Sequence, residues 1–269
     1  MASILFYDNF TQSQVCGMFN GWHFLTIILF AITLTVALYC SRNMSQKAVR
    51  KTHLIVAICV TVAEIVKITL RVIKGQSPDN YIPLYYCSLF IFALWIAYIP
   101  HEKISRIGFS YMTMGGIIAG TFFTFYPSTS LGLYPIWHPS VFHSFAFHTV
   151  MVYMGILILY KKYYTPKASD ALLYFLFIFT ACIPSYFLNE ALGTNCMFLR
   201  HAFKLGPLEA LISISKWLYI AFMVVGQAVG IYWISFGVYK LFTLRTKSDE
   251  QAECEAQNQE SDEQQSQIV

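Results

Sequence analysis

Two residue types in this chain can together make and break an acyl bond: a thiol and an imidazole. An imidazole can take a thiol proton, the thiolate attacks an acyl carbonyl, and the histidine returns the proton to the leaving oxygen. Of the seven cysteines and seven histidines, Cys87 and His148 are the pair whose positions, derived below, suit that chemistry. Other ionisable groups accompany them. Glu64, Lys67 and Arg71 follow one another at spacings of three and four, which puts all three on one helical face. Asn189, Glu190 and Lys216 follow later in the chain. Glu64 and Lys67 can neutralise each other or bind a ligand, whereas Arg71 and Lys216 have stems long enough to snorkel towards an interface. His143 precedes His148 by five residues, about 140° around a helix, so the two do not form a metal-binding pair. The cysteines show neither a CxxC nor a zinc spacing. No metal and no cofactor is expected.

These groups must be held by elements that face lipid. Of the 269 residues, 57% are hydrophobic and 12% charged, and the mean hydropathy is +0.53. A soluble domain carries about a quarter charged residues. The composition excludes an ordinary cytosolic enzyme, a nucleic-acid-binding module and a disordered protein. Seven stretches meet the length of about 20 mostly apolar residues that a membrane helix needs: 22–40, 53–73, 81–99, 107–126, 141–160, 169–188 and 211–241. The first is not a cleavable signal, because no basic region precedes it and Arg42 follows it. Gly116-xxx-Gly120 and Gly226-xxx-Gly230 have the spacing at which membrane helices pack closely.

Charge orients the spans. With the N-terminus outside, twelve Lys and Arg fall in the inner segments and three (Lys74, Arg200, Lys204) in the outer ones, as the positive-inside rule requires. The expected fold is therefore an all-α membrane protein, a seven-helix transmembrane bundle with its N-terminus outside and its C-terminus cytoplasmic. Residues 1–21 form an extracytoplasmic segment and 22–245 the membrane domain. The last part, 246–269, is an acidic cytoplasmic tail. The chain splits after Lys247 into a body of net charge +11 and a tail of −7. That tail is rich in Gln, Glu and Ser and has no aromatic residue, which is the composition of a disordered segment. In this topology spans three and five both descend from outside. Cys87 and His148 then lie about 10 Å below the outer interface, and Glu64 and Lys216 fall in the same outer half.

Three segments in order carry a family resemblance: Ile82 to Phe90 (IPLYYCSLF), Tyr134 through His143 to His148, and Phe187-Leu188-Asn189 running on to Leu192-Gly193-Thr194-Asn195. Together they resemble the YwaF-type family of bacterial integral membrane proteins over most of residues 20–240. Its animal relative is a transmembrane acyltransferase that remodels ether phospholipids through a membrane cysteine and histidine. More distant relatives hydrolyse lipid esters. The resemblance implies a cysteine acyl-enzyme, with Cys87 as nucleophile and His148 as general base. Tyr85 stands where the family often has His or Gln, and it can still donate a hydrogen bond.

The expected function is a lipid acyltransferase or lipid-ester hydrolase in a multi-pass membrane protein of a bacterial plasma membrane or an endomembrane. Its partner is a membrane phospholipid or acyl-lipid, with no nucleic acid. Asn189 is a candidate to donate to an oxyanion or orient His148, and Lys67 or Lys216 to hold a lipid phosphate. The alternative is a transporter or binding protein for a small solute or lipid, with a polar pocket lined by Glu64, Lys67 and Lys216. A transporter needs polar groups through both leaflets, and the inner halves of the spans are nearly devoid of them.

Overall fold

The computed structural model describes residues 10–11, 13–78, 81–202 and 206–245. Within them the chain is helical and has no strand: α1 (Gly21–Ser41), α2 (Gln46–Ile73), α3 (Leu89–Tyr98), α4 (Glu102–Phe125), α5 (Pro139–Tyr160), α6 (Asp170–Leu192), α7 (Gly206–Ile214) and α8 (Lys216–Arg245). All but α3 and α7 are long and apolar enough to cross a membrane. The tail 246–269 lies outside the described residues.

Local chemistry sets the helix ends. The side chains of Asn20, Ser45 and Ser215 accept from His23 N, Ala48 N and Leu218 N, occupying amides that the first turns of α1, α2 and α8 leave unpaired. Pro139 opens α5, where its missing N–H costs nothing. Gly193 closes α6 in the left-handed region at φ 72°. The expected span 211–241 is thus two helices, broken at the extended Ser215 (φ −161°).

The expected span 81–99 also differs. Only Leu89–Tyr98 is a complete helix, about 15 Å long, half of the hydrocarbon thickness. The segment before it, with Pro83, is irregular. Irregular backbone at membrane depth survives only where protein covers it. Here Met197 N donates to Leu84 O at 3.0 Å, and Tyr111 Oη donates to Tyr86 O.

Contacts between helices define two ends of the bundle. At the basic end Gln46 Nε2 reaches Lys161 O at 2.8 Å, Ser41 meets Tyr153, and His53 Nε2 bonds Leu94 O at 2.9 Å. Arg50 lies over the Tyr98 ring. At the opposite end His23 Nε2 bonds Thr124 O, and Arg71 Nη2 donates to Ser140. The two Gly-xxx-Gly pairs behave differently. A Cβ on Gly120 would sit 2.8 Å from His148 O, and one on Gly116 3.2 Å from Met151 Cγ, so this pair lets α4 lie against α5. Nothing among the described residues comes within 4 Å of a Cβ on Gly226, so the second pair is not a close-packing motif. It lies in a π-helical turn, Gly226–Gly230.

Candidate functional site

His148 sits nine residues into α5, about 13 Å from its start, and its ring is 7% exposed. Its Nδ1 is 2.7 Å from the carbonyl of Ser144. A carbonyl only accepts, so Nδ1 carries the proton and Nε2 presents its lone pair. That Nε2 is buried and has no hydrogen-bond partner among the described residues, Cys87 included. Phe123 stacks on the ring at 3.7 Å with an interplanar angle of 7°, and Phe147 meets it edge-on. The imidazole is therefore fixed in one tautomer and one orientation with its basic nitrogen unspent.

Cys87 lies on the segment that leads into α3 and packs half-buried against the main core. Leu89 N donates to Tyr85 O, so Cys87 falls within the first helical turn. The α3 and α5 neighbourhoods touch through Phe90 and Phe147, ring centroids 5.8 Å apart. Phe90 is one turn beyond Cys87, and Phe147 adjoins His148.

Glu64, Lys67 and His143 do come together. Lys67 Nζ is 2.5 Å from Glu64 Oε1, and His143 Nε2 is 3.7 Å from Glu64 Oε2. The ring of His143 also stacks on Phe147. Glu64 is 5% exposed, so its charge is matched by Lys67 one turn away, as the spacing predicts.

Three expected site residues are occupied elsewhere. Lys216 pairs with Glu190 at 2.7 Å, both side chains exposed, away from the Glu64–Lys67 pair. The Asn189 amide is turned on its own loop. Its Oδ1 accepts from Thr194 Oγ1 at 2.8 Å and Cys196 N at 2.7 Å, and its Nδ2 donates to Cys196 O. Tyr85 packs its ring against Phe198, centroids 5.4 Å apart.

Two of the resembling segments are physically joined. Asn189 shapes the loop 193–199, which holds Leu84 through Met197 N. Gln227 Nε2 donates to Met197 O from α8. Met197 adopts φ 51°, a strained value for a side-chain-bearing residue that surrounding bonds must hold. The LGTN stretch thus acts on the cysteine segment through packing. The sequence model of the TMEM164 family matches residues 18–235, from the loop before α1 into α8. The chain belongs to the TMEM164 family. The expectation of a YwaF-type family is met at the level of an integral membrane family, and the matching family is TMEM164. Six long apolar helices among the described residues and this membership make the chain a multi-pass integral membrane protein. No curated protein and no solved structure matches it.

Sequence reasoning does not single out Tyr86, Tyr111 and Tyr174. The Tyr86 and Tyr174 hydroxyls share a hydrogen bond, and all three rings are buried. In the TMEM164-family chain the Tyr111 hydroxyl bonds the carbonyl of the peptide that enters Cys87, and Tyr174 holds the Tyr86 side chain. Their only signal in the sequence is three hydroxyl-bearing rings inside apolar runs, without a spacing that links them.

Proposed function

We propose that this TMEM164-family protein is a membrane lipid acyltransferase that works through a cysteine acyl-enzyme. Cys87 is the nucleophile and His148 the general base. The reading is carried by one observation: the His148 Nε2 lone pair is buried, oriented and unpartnered among the described residues, in the neighbourhood of a membrane cysteine. A buried polar atom left without a partner costs free energy, and a base awaiting a proton is a reason to keep it.

In the first half-reaction the Cys87 proton moves to His148 Nε2. The thiolate attacks the acyl carbonyl of a lipid ester, an S–C bond forms, the ester C–O bond breaks, and the alkoxide takes the proton from the imidazolium. In the second, an acceptor hydroxyl gives its proton to Nε2 and attacks the thioester. The new O–C bond forms, the C–S bond breaks, and the thiolate recovers the proton. Water as acceptor makes the same site a hydrolase. The pair is not hydrogen-bonded at rest, and substrate entry closes it, as is common for catalytic hydrogen bonds in unliganded sites.

The membrane arrangement that suits this chemistry has seven crossings, with the N-terminus outside and the C-terminus cytoplasmic. Contacts at the two ends support it. Residues 74–101 lead from the Arg71–Ser140 end to the Arg50–Tyr98 end, so α3 and the irregular segment before it share one crossing. Cys87 then lies partway along that crossing, before α3, on the side from which a lipid ester of the outer leaflet approaches. The group formed by buried Glu64 and half-buried Lys67 and His143 favours the alternative of a solute- or lipid-binding pocket, but without Lys216, which is held by Glu190.

The test compares wild type, Cys87→Ala and His148→Ala in membranes for acyl-probe labelling and phospholipid acyl composition. Loss of labelling in the first and a fall of about 10²–10⁴ in rate in the second are expected. Unchanged labelling and lipids in folded variants would sink the acyltransferase. Solute uptake that depends on Glu64, with Cys87→Ala neutral, would favour the pocket.

A further inference from the structure

The π-helical turn Tyr111–Gly116 in the middle of α4 has no part in the chemistry so far. Such turns insert an extra residue into a helix and often occur at functional sites. Here the turn carries two residues that face the cysteine segment. Tyr111 is fully buried, its ring 5.5 Å from that of Tyr86 and 5.4 Å from that of Phe177. Its hydroxyl donates to the Tyr86 carbonyl. Gly115 makes the room: a Cβ there would lie 2.5 Å from Tyr86 Oη and 2.8 Å from Tyr174 Oη.

The Tyr86 carbonyl and the Cys87 N–H are the two ends of one peptide group. A hydrogen bond to the carbonyl draws electron density towards oxygen and makes the N–H at the other end a better donor, the cooperative polarisation of linked hydrogen bonds. The N–H groups of Cys87 and Ser88 lie in the first turn leading into α3; the Cys87 N–H lies against its own sulfur, and neither donates to another residue among those described. Free amides at the start of a helix bind negative charge.

We infer that Tyr111 is a positioning residue for acyl transfer: its hydroxyl fixes and polarises the Tyr86–Cys87 peptide, so that the Cys87 and Ser88 amides receive the oxyanion. This rests on the reading of Cys87 as nucleophile. As the S–C bond forms, the carbonyl π pair moves onto oxygen, and that oxygen lies against the two amides. When the C–O bond breaks the pair returns to carbon. The independent sign of polar chemistry nearby is His148 Nε2, buried and without a partner among the described residues, on the residue next to Phe147, whose ring packs on Phe90 one turn beyond Cys87. Asn189, whose place in the sequence makes it a candidate oxyanion donor, is replaced in that role by backbone amides.

The experiment measures two rates at Cys87 in the full-length protein in vesicles. One is acylation by a p-nitrophenyl ester of a medium-chain fatty acid, which passes through an oxyanion. The other is alkylation by iodoacetamide, which does not. Tyr111→Phe keeps the ring and removes the donor. It should slow acylation about tenfold, less than the hundredfold or more that a directly contacting donor is worth, and leave alkylation within about twofold. Equal loss of both rates would mean that Tyr111 only keeps the segment folded or exposed, and would overturn the inference. So would loss of neither. Tyr174→Phe, which removes the hydroxyl partner of Tyr86 and leaves its carbonyl bonded, should not change the ratio of the two rates; a changed ratio there counts against the specific role of the Tyr86 carbonyl. If wild type is not acylated at Cys87 at all, the acyltransferase reading fails, a result distinct from a normal ratio in Tyr111→Phe.

Discussion

Two regions of this bundle treat polar groups in opposite ways. At the basic end, Arg106 Nε donates to Asp170 Oδ1 at 2.8 Å and its Nη2 reaches Oδ2. Tyr164 Oη (2.7 Å) and Lys167 N (2.9 Å) donate to the same Oδ2. Tyr232 Oη in turn bonds Lys167 O at 2.6 Å. Both oxygens of the carboxylate are used. Burial, reinforced by the Asp170 hydrogen bond, pushes the Tyr164 phenol well above its ordinary value, so it stays a neutral donor. Around Cys87 and His148 the reverse holds: among the described residues the buried Nε2 has no partner, and the Cys87 and Ser88 amides donate to no other residue. A satisfied cluster joins α4, α6 and α8 and has nothing left to offer a ligand. An unsatisfied one costs stability and, on the proposed reading, keeps its donors and acceptor for a substrate. At the basic end the spans are also less barren than composition suggests, because Asp170 and Arg106 form a buried pair at their border.

This contrast makes opposite demands on variants. Cys87→Ala should reduce acyl transfer to background while the thermal midpoint in detergent stays put; a residual rate near wild type would erase the distinction. Asp170→Ala should do the converse. Removing one member of a buried, hydrogen-bonded ion pair costs about 3–5 kcal/mol, so the midpoint should fall steeply, while the rate per folded molecule is kept. A stable Asp170→Ala protein would show that the clamp is ornamental. Gly120→Ala is intermediate. The new methyl would press on Val152 Cγ2 at 2.5 Å and His148 O at 2.8 Å, at about 1–3 kcal/mol for overpacking, and it should lower both the midpoint and the rate because it moves the base. Gly226→Ala meets no described atom within 4 Å, so its effect on the midpoint should stay within about 0.5 kcal/mol. If the two glycines respond alike, the packing difference between the pairs is wrong.

Much of the fold is legible in the sequence because apolar length is a direct consequence of bilayer thickness. The stretches 22–40 for α1 and 141–160 for α5 fall within a residue or two of Gly21–Ser41 and Pro139–Tyr160. The helix α2 starts seven residues before the apolar stretch 53–73, since Ser45 caps a polar first turn that hydropathy does not count. The stretch 81–99 reads as a full helix because composition cannot separate a helix from buried irregular chain. Pro83 hints at the break, but what stabilises it is a bond from Met197, more than a hundred residues away. The same limit applies to the site. The Glu64–Lys67 pair follows from spacing along one helix. His143 joining it, Lys216 leaving for Glu190 and Tyr111 reaching the Tyr86 carbonyl are contacts between elements, and no local pattern encodes them.

The most direct test is to look for the acyl-enzyme itself. The full-length protein is incubated in vesicles with a phospholipid bearing an isotopically labelled acyl chain, digested, and the Cys87 peptide weighed with and without neutral hydroxylamine. A labelled acyl group on Cys87 that hydroxylamine removes, absent from Cys87→Ala and slow to form in His148→Ala, is the predicted result. Acyl exchange between lipids that persists with Cys87 unmodified, or in Cys87→Ala, would contradict it.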